Sequence, residues 1–212
     1  MTKNWRLLLF LVLLVAPGIK AQANYFEINA VGVLNASAPS ELKNGTSQGW
    51  TGNTTSGMGL LAATNLGASP FDLETGAIYL NETSARIDSG NKVNRITLRL
   101  QIPLLIRYHF DERMALGIGG YAGIGQGSVI TETNGNGVLN SYSDAGIKLQ
   151  DYGLLLSARA SLKILEQWYL IIDGRYQHGL SNLSQIPPGT AGDYLNSRAF
   201  QANLGISYRF AI

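Results

Sequence analysis

The chain of 212 residues contains no cysteine and only two histidines. A disulfide framework and cysteine-ligated zinc or iron–sulfur sites are therefore excluded, and a histidine-rich metal site is not expected. Charged residues are also scarce, at 14% of the sequence. Three of the 16 basic residues, Lys3, Arg6 and Lys20, precede residue 24, and the rest of the chain is close to neutral. This balance gives no electrostatic reason to expect a nucleic-acid partner.

Long hydrophobic runs are absent as well, except near the N-terminus. There, the ten apolar residues 7–16 follow two basic residues and precede Pro17-Gly18 and the small-x-small triplet Ala21-Gln22-Ala23. This order is typical of a secretory signal peptide, and ten residues are too few for a membrane-spanning helix, which needs about 20. We predict that residues 1–23 are a cleaved signal peptide and that residues 24–212 form one mature domain.

The mature part instead alternates between apolar and polar residues. The clearest example runs from Arg95 to Phe110, where every even position is apolar and most odd positions are polar. Successive side chains of a strand point to opposite faces, so this segment is predicted to be a strand with two different faces. It is longer than the roughly 5–6 residues usual in globular sheets.

The same pattern predicts eight strands in all, at residues 25–34, 57–66, 71–80, 95–110, 114–125, 151–164, 168–177 and 200–210. Tight turns are predicted at residues 67–70, 111–113 and 165–167. Long loops rich in Asn, Ser, Thr and Gly are predicted at residues 35–56, 81–94, 126–150 and 181–197. Long and short connections alternate strictly, so an up-and-down meander would place all the long loops at one end.

Outer-membrane barrels have this arrangement, with short periplasmic turns and longer external loops. About 9–11 residues per tilted strand are enough to cross the membrane. The predicted fold class is therefore all-β, an eight-stranded antiparallel up-and-down transmembrane β-barrel.

The two faces of the strands favour a membrane barrel, whose apolar face contacts lipid, over a soluble barrel, whose apolar face points inward. The polar face carries charges of both signs, which we predict to form a paired network that plugs the interior: Glu27, Asp72, Glu74, Arg99, Arg107, Arg159, Lys163, Asp173, Arg175 and Arg209. Because bases outnumber acids in this set, some arginines are expected to reach the barrel mouths or bound water. Aromatic residues of the apolar face collect near the short turns, as is typical of membrane interfaces: Phe71, Tyr108, Phe110 and Trp168.

Two stretches carry a resemblance to a known family. Residues 100–110 (LQIPLLIRYHF) and residues 203–210 (NLGISYRF) resemble parts of the small OmpX/OmpA-type outer-membrane β-barrels, including the PorT-like outer membrane protein β-barrel family. The second stretch is similar to the C-terminal signal read by the barrel-assembly machinery, with Asn203, Gly205, Tyr208 and Phe210 as its residues. Such chains commonly end at the aromatic residue of the signal, whereas here two residues, Ala211 and Ile212, follow Phe210.

We therefore expect an integral outer-membrane protein of a Gram-negative-type bacterium, with a structural or surface-interaction role. Its partners would be outer-membrane lipid and lipopolysaccharide, the barrel-assembly machinery during insertion, and an extracellular ligand on the loops. The alternatives are a narrow porin-like channel, a lipid-modifying barrel enzyme and a soluble lipocalin-like carrier.

No enzyme, cofactor or metal site is predicted. The only loosely hydrolase-like set is His178, Ser181 and Asp193, whose spacing matches no catalytic motif. Gly117, Gly119 and Ala122 fit a loose dinucleotide-binding pattern, but that pattern requires a helix after the glycines, and these lie within a predicted strand. Small residues that make room inside a narrow barrel are the better interpretation.

Overall fold

The computed structural model of the protein describes residues 25–37, 39–43, 46–49, 51–67, 69–88, 91–133, 136–141, 148, 150–183 and 194–211. The predicted signal peptide at residues 1–23 lies outside this part of the chain, so its cleavage stays a prediction. Among the described residues, no helix is long and apolar enough to cross a membrane.

Eight long strands form the barrel wall: β1 (Tyr25–Ser37), β2 (Thr54–Asn65), β3 (Phe71–Asp88), β4 (Asn91–His109), β5 (Met114–Thr133), β6 (Gln150–Lys163), β7 (Trp168–Gly179) and β8 (Arg198–Ala211). Each strand pairs antiparallel with the next, and β8 returns to pair with β1. Closure pairs the backbone groups of these strands with one another, as a wall in contact with lipid requires. The predicted eight-stranded antiparallel barrel is confirmed.

The alternation in the sequence determines which side chains enter the barrel. On β4, Arg99, Gln101 and Leu105 are buried, whereas Leu100 and Ile102 are exposed on the outside. The other wall strands follow the same rule, so the outside of the barrel is a belt of exposed apolar side chains that includes Leu34, Leu60, Leu104, Ile118, Ile124, Leu156, Ile172 and Leu204. The interior is correspondingly rich in polar groups.

Three short connections lie at one end of the barrel, as the sequence predicted, at residues 66–70, 110–113 and 164–167. In the first, Gly67 has a φ of 69°, a left-handed conformation that favours glycine. In the second, the Asp111 Oδ1 atom accepts hydrogen bonds from the backbone N–H groups of Arg113 and Met114, both at 2.7 Å. We call this the short-turn end.

The opposite end differs from the sequence prediction, because much of the predicted loop at residues 81–94 is strand. β3 continues to Asp88, and β4 begins at Asn91. The predicted loop at residues 126–150 likewise contains the end of β5 and a short strand, Asn136–Ser141, that pairs with it. Residues 84–88, 91–95, 128–133 and 136–141 thus form a projecting sheet above the barrel. Residues 81–94 are rich in polar residues, so apolar residues do not recur at every second position there and the strand pattern is weak.

Three more short strands occupy the same end, and Thr51–Gly52 adds a brief pairing to β3. Ser40–Lys43 pairs with Thr46–Gly49 on one side and with Tyr194–Asn196 on the other. This small sheet links the β1–β2 connection to the β7–β8 connection. We call this the long-connection end.

Candidate functional site

The barrel interior brings together most of the charged side chains that the sequence analysis singled out. The half nearer the short turns holds seven residues that form one set of ion pairs, here called the lower cluster: Glu27, Glu74, Arg107, Arg159, Asp173, Arg175 and Arg209.

Glu74 and Asp173 hold two arginines at the centre of the lower cluster. Arg107 donates to Glu74 Oε2 at 2.5 Å and to Asp173 Oδ2 at 3.1 Å. Arg175 donates to Glu74 Oε1 and to Asp173 Oδ2, both at 2.7 Å. Because β7 is a neighbour of neither β3 nor β4 in the wall, the Arg107–Asp173 and Arg175–Glu74 bonds cross the lumen.

Glu27 extends the lower cluster to the seam between β1 and β8. It accepts hydrogen bonds from Arg159 and, at 2.6 Å, from Arg209 Nε. Arg159 Nη1 also lies 3.5 Å from Glu74 Oε2, which joins the two parts of the cluster. Within it, every carboxylate therefore faces at least two guanidinium groups, as buried charges require.

A second polar group lies at the mouth of the short-turn end. His109 Nε2 lies 2.7 Å from Asp72 Oδ2, and the Tyr25 hydroxyl donates to the same oxygen at 3.2 Å. The guanidinium of Arg209 lies over the rings of Tyr25 and Tyr169, at 4.9 and 4.0 Å from their centroids.

Uncharged side chains fill the middle of the barrel. Gln201 Nε2 donates to Gln101 Oε1 at 3.0 Å and to Gln177 Oε1 at 3.2 Å. Two groups of buried apolar side chains also line the interior: Val31, Val33, Leu61, Ile78, Leu80 and Ile171 in one, and Leu105, Tyr121 and Leu155 in the other. An eight-stranded barrel is just wide enough for its interior to be filled in this way.

A further polar group lies toward the long-connection end and is here called the upper cluster: Glu82, Arg99, Tyr121, Asp151, Ser181 and Ser197. Asp151 accepts hydrogen bonds from Ser181 at 2.5 Å and from Ser197 at 2.6 Å. Arg99 bridges the two carboxylates, with Nη1 at 3.1 Å from Asp151 and Nη2 at 2.9 Å from Glu82.

Nine of the ten residues that the sequence assigned to the interior network lie inside the barrel, and the prediction is wrong for Lys163. Lys163 is the last residue of β6 and is exposed. Its position in the alternation points inward, but the wall ends there, so its amine reaches water.

Two further carboxylates, Glu82 and Asp151, are buried in the interior and do not belong to the network predicted from the sequence. Their omission produced the predicted excess of bases. Glu82 had been placed in a loop, although it continues the even-numbered inward series of Asp72 and Glu74 on β3. Asp151 falls on the same inward series as Arg159 on β6. Extending each alternation by a few residues would have found both.

The hydrolase-like set is not assembled in the described part of the chain. His178 points outward, with its ring 6.4 Å from that of Tyr176. Ser181 is buried and donates to Asp151. Asp193 lies outside the described residues. Among those that are described, no group of three or more His, Asp or Glu side chains could hold a metal ion.

The four predicted interface aromatics and the predicted assembly signal meet at the short-turn end. The Tyr108 ring is 5.3 Å from Phe71 and 5.2 Å from Phe110. On the other side of the barrel, the Tyr208 ring is 4.9 Å from Trp168 and 4.6 Å from Phe210. Two other residues of the signal, Asn203 and Gly205, lie on the inward face of β8, and recognition by the assembly machinery stays a prediction.

No protein-family profile matches the sequence, and no curated protein sequence matches it significantly. Solved structures do share the fold. The outer membrane protein OprG from Pseudomonas aeruginosa is similar with a TM-score of 0.58 at 15% identity, over 92% of this chain and 99% of OprG. The chain has the fold of a small outer-membrane β-barrel.

Two looser similarities fall below a TM-score of 0.5. One is Ail, the attachment invasion locus protein of Yersinia pestis, at 0.45 and 14% identity over 89% of this chain and 100% of that one. The other is the N-terminal β-barrel domain of OprF from Pseudomonas aeruginosa, at 0.43 and 14% identity over 89% and 98%. The OmpX/OmpA-type resemblance holds at the level of fold, and the PorT-like assignment stays a prediction.

Proposed function

We propose that the protein is an integral barrel of the outer membrane of a Gram-negative-type bacterium, exported by a signal peptide at residues 1–23. The observation that supports this proposal is the distribution of polarity across the wall, with apolar side chains outside and ion pairs inside. In water, such a surface would be a large exposed apolar patch. In lipid it is the arrangement that a barrel needs. A soluble lipocalin-like carrier would need the reverse.

The height of the apolar belt supports the same proposal. On β5, the outward residues are apolar or small from Met114 to Ile124, and Gln126 follows. On β8, the belt runs from Phe200 to Phe210. Each of these spans is 11 residues long, and about 9–11 residues of a tilted strand cross the hydrocarbon core.

We also propose that the interior is closed to ions. Arg107 and Arg175 reach carboxylates across the lumen, and the glutamines and the buried apolar groups occupy more of the interior. Charges of opposite sign pair with each other, so no path lined by one sign of charge is left for an ion. The narrow porin-like channel is the competing proposal.

The long-connection end would then carry the biological role, which we propose to be structural or to involve surface interactions. The projecting sheet and the small sheet would face the surroundings of the cell, where an extracellular ligand can bind. We propose no catalysis, since the serines of the upper cluster hydrogen-bond to Asp151 rather than to a histidine.

The membrane proposal is tested by refolding the mature protein into detergent micelles and comparing unheated with boiled samples by SDS gel electrophoresis. We expect the unheated barrel to resist SDS and to migrate differently from the boiled chain. A monodisperse monomer that is soluble without detergent would contradict the proposal.

The closed interior is tested by single-channel recording in planar bilayers. We expect no conductance steps from the wild type, and steps from the double variant Arg107→Ala/Arg175→Ala, because it empties the centre of the lower cluster. Arg113→Ala, at an exposed turn, is the matched control and should remain silent. Regular steps from the wild type would favour the narrow channel instead.

A further inference from the structure

On seven of the eight wall strands, β2 to β8, an outward polar residue lies just beyond the last large apolar residue of the belt on the side of the long connections. On five strands, β2 to β6, this residue is neutral: Ser56, Asn81, Asn94, Gln126 and Gln150. On β7 and β8, which are neighbours, it is basic: His178 and Arg198. Among these seven positions, the two basic side chains are therefore neighbours, whereas Lys92, an exposed base on β4, lies one outward position farther from the belt.

His178 and Arg198 face each other directly in the β7–β8 register. Both point outward, because the residues beside them, Gln177 and Ala199, are buried. Directly opposed residues of antiparallel strands have Cβ atoms about 4.5–5.5 Å apart, so both side chains can reach one small anion. Within the part of the chain that the structure describes, no ion pair or side-chain hydrogen bond involves Arg198, which is exposed.

An aromatic pair lies immediately below these two residues. Tyr176 and Phe200 are the next outward residues on the same strands, and their ring centroids are 4.9 Å apart. Aromatic rings prefer the boundary between the hydrocarbon core and the headgroups of a membrane. The basic pair is thus held at the height at which lipid phosphates lie.

We propose that His178 and Arg198 bind the phosphate group of an anionic lipid in the leaflet at the long-connection end. This inference rests on the proposed function, since it requires the barrel to lie in a membrane. The guanidinium of Arg198 can donate two parallel hydrogen bonds to a phosphate, and the His178 ring can donate a third. The acyl chains of the same lipid would pack against the apolar belt and so keep its phosphate close to His178 and Arg198. Free phosphate has no such second contact, so it should bind more weakly.

The test measures binding of diphosphorylated lipid A to the mature barrel by native mass spectrometry from detergent micelles. We expect Arg198→Gln to weaken binding about tenfold, as the loss of a charge-assisted hydrogen bond would. His178→Gln should weaken it less, and Arg198→Lys should retain part of it. Removal of the phosphates from the lipid should have the same effect as removal of the arginine. The affinity of the wild type for dephosphorylated lipid A should therefore be no higher than the affinity of Arg198→Gln for the phosphorylated lipid.

Arg113→Gln is the matched control, because Arg113 is an exposed arginine at the opposite end of the barrel. Its binding should equal that of the wild type, and an equal loss in both arginine variants would overturn the proposal. Efficient competition by inorganic phosphate would also overturn it, since the site would then bind phosphate without the lipid. Each variant is first checked for the heat-dependent gel shift. If the wild type itself shows no shift, the proposed function fails and this inference fails with it.

Discussion

At the scale of single residues, Glu74 illustrates how the interior depends on pairing. Its carboxylate contacts the guanidinium groups of Arg107, Arg159 and Arg175. The attraction within a buried ion pair is largely offset by the loss of hydration, so the pair itself adds little stability. Removal of one partner is costly, because a buried charge is then left without compensation.

Replacement of Glu74 by glutamine is therefore expected to lower the free energy of unfolding by about 3–5 kcal/mol. Urea unfolding of the reconstituted protein in lipid vesicles measures this difference. Glu112→Gln removes the same charge at an exposed turn and should change stability by no more than about 0.5 kcal/mol. An equal loss of stability in the two variants would show that the ion pairs of Glu74 in the lower cluster are not the cause.

Asp111 offers a residue whose contribution depends on pH. Hydrogen bonds from the backbone N–H groups of Arg113 and Met114 hold the pKa of Asp111 below its usual range. A carboxyl whose pKa is lower in the folded state stabilises the fold above its unfolded pKa, which is about 3.9. That contribution is lost as the pH falls through the folded pKa.

We accordingly expect Asp111→Asn to be less stable than the wild type at neutral pH, by an amount that disappears in acid. Protonated Asp111 is uncharged like asparagine, so the two unfolding curves should converge below the folded pKa. Urea unfolding at a series of pH values measures the difference. A gap of constant size down to the acidic end would mean that the charge of Asp111 is not involved.

At the scale of the strand, β5 shows how small residues make room for large ones. A Cβ atom added at Gly117 would lie 2.9 Å from Cγ of Arg107, and one added at Gly123 would lie 3.1 Å from Cδ of Arg99. The glycines of β5 therefore accommodate the two arginines that centre the lower and upper clusters. The sequence analysis had predicted this role for the small residues of the strand.

Gly117→Val should lower the free energy of unfolding by about 1–3 kcal/mol, because Arg107 is fixed by its carboxylates and cannot move aside without cost. Gly174→Val is the control on the outer face, where an added Cβ would meet nothing nearer than 3.9 Å. Chemical unfolding of both variants in the same lipid gives the comparison. A control that loses as much stability would point to the strand backbone rather than to Arg107.

The same scale shows what could be predicted from the sequence. Lipid on one side and a packed polar interior on the other impose opposite demands on the residues of β4 from Arg95 onward, so its alternation was plain. Beyond the belt, lipid no longer requires apolar residues on the outer face, so the sequence predicts a loop at residues 81–88, where the structure has a strand. The charged residues could be assigned to the interior, but their partners could not. Arg107 contacts Asp173 only because the barrel closes, and a pattern of neighbouring residues in the sequence does not show which strands face each other across the lumen.

At the scale of the whole molecule, the two ends of the barrel differ enough for its orientation to be measured. Lys92 is exposed on the projecting sheet, and Glu112 is exposed at a short turn. Because the protein has no cysteine, a single introduced one can be labelled without background.

A membrane-impermeant maleimide should label Lys92→Cys on intact cells, since the long-connection end is expected to face outward. It should label Glu112→Cys only after the outer membrane has been permeabilised. The reverse pattern would invert the orientation, and labelling of both positions on intact cells would argue against insertion.

The seam between β1 and β8 has a consequence for the time course of folding. Tyr25 pairs with Ala211, and Ser37 pairs with Ala199, so the contacts that close the barrel join residues that are more than 160 positions apart in the sequence. Contacts between residues so distant in sequence form slowly, because the intervening chain must first be ordered. Until β1 and β8 pair, each of them has an unpaired edge that can associate with other chains. We therefore expect hairpins of neighbouring strands to form early and the seam to close last, in the step that limits the rate.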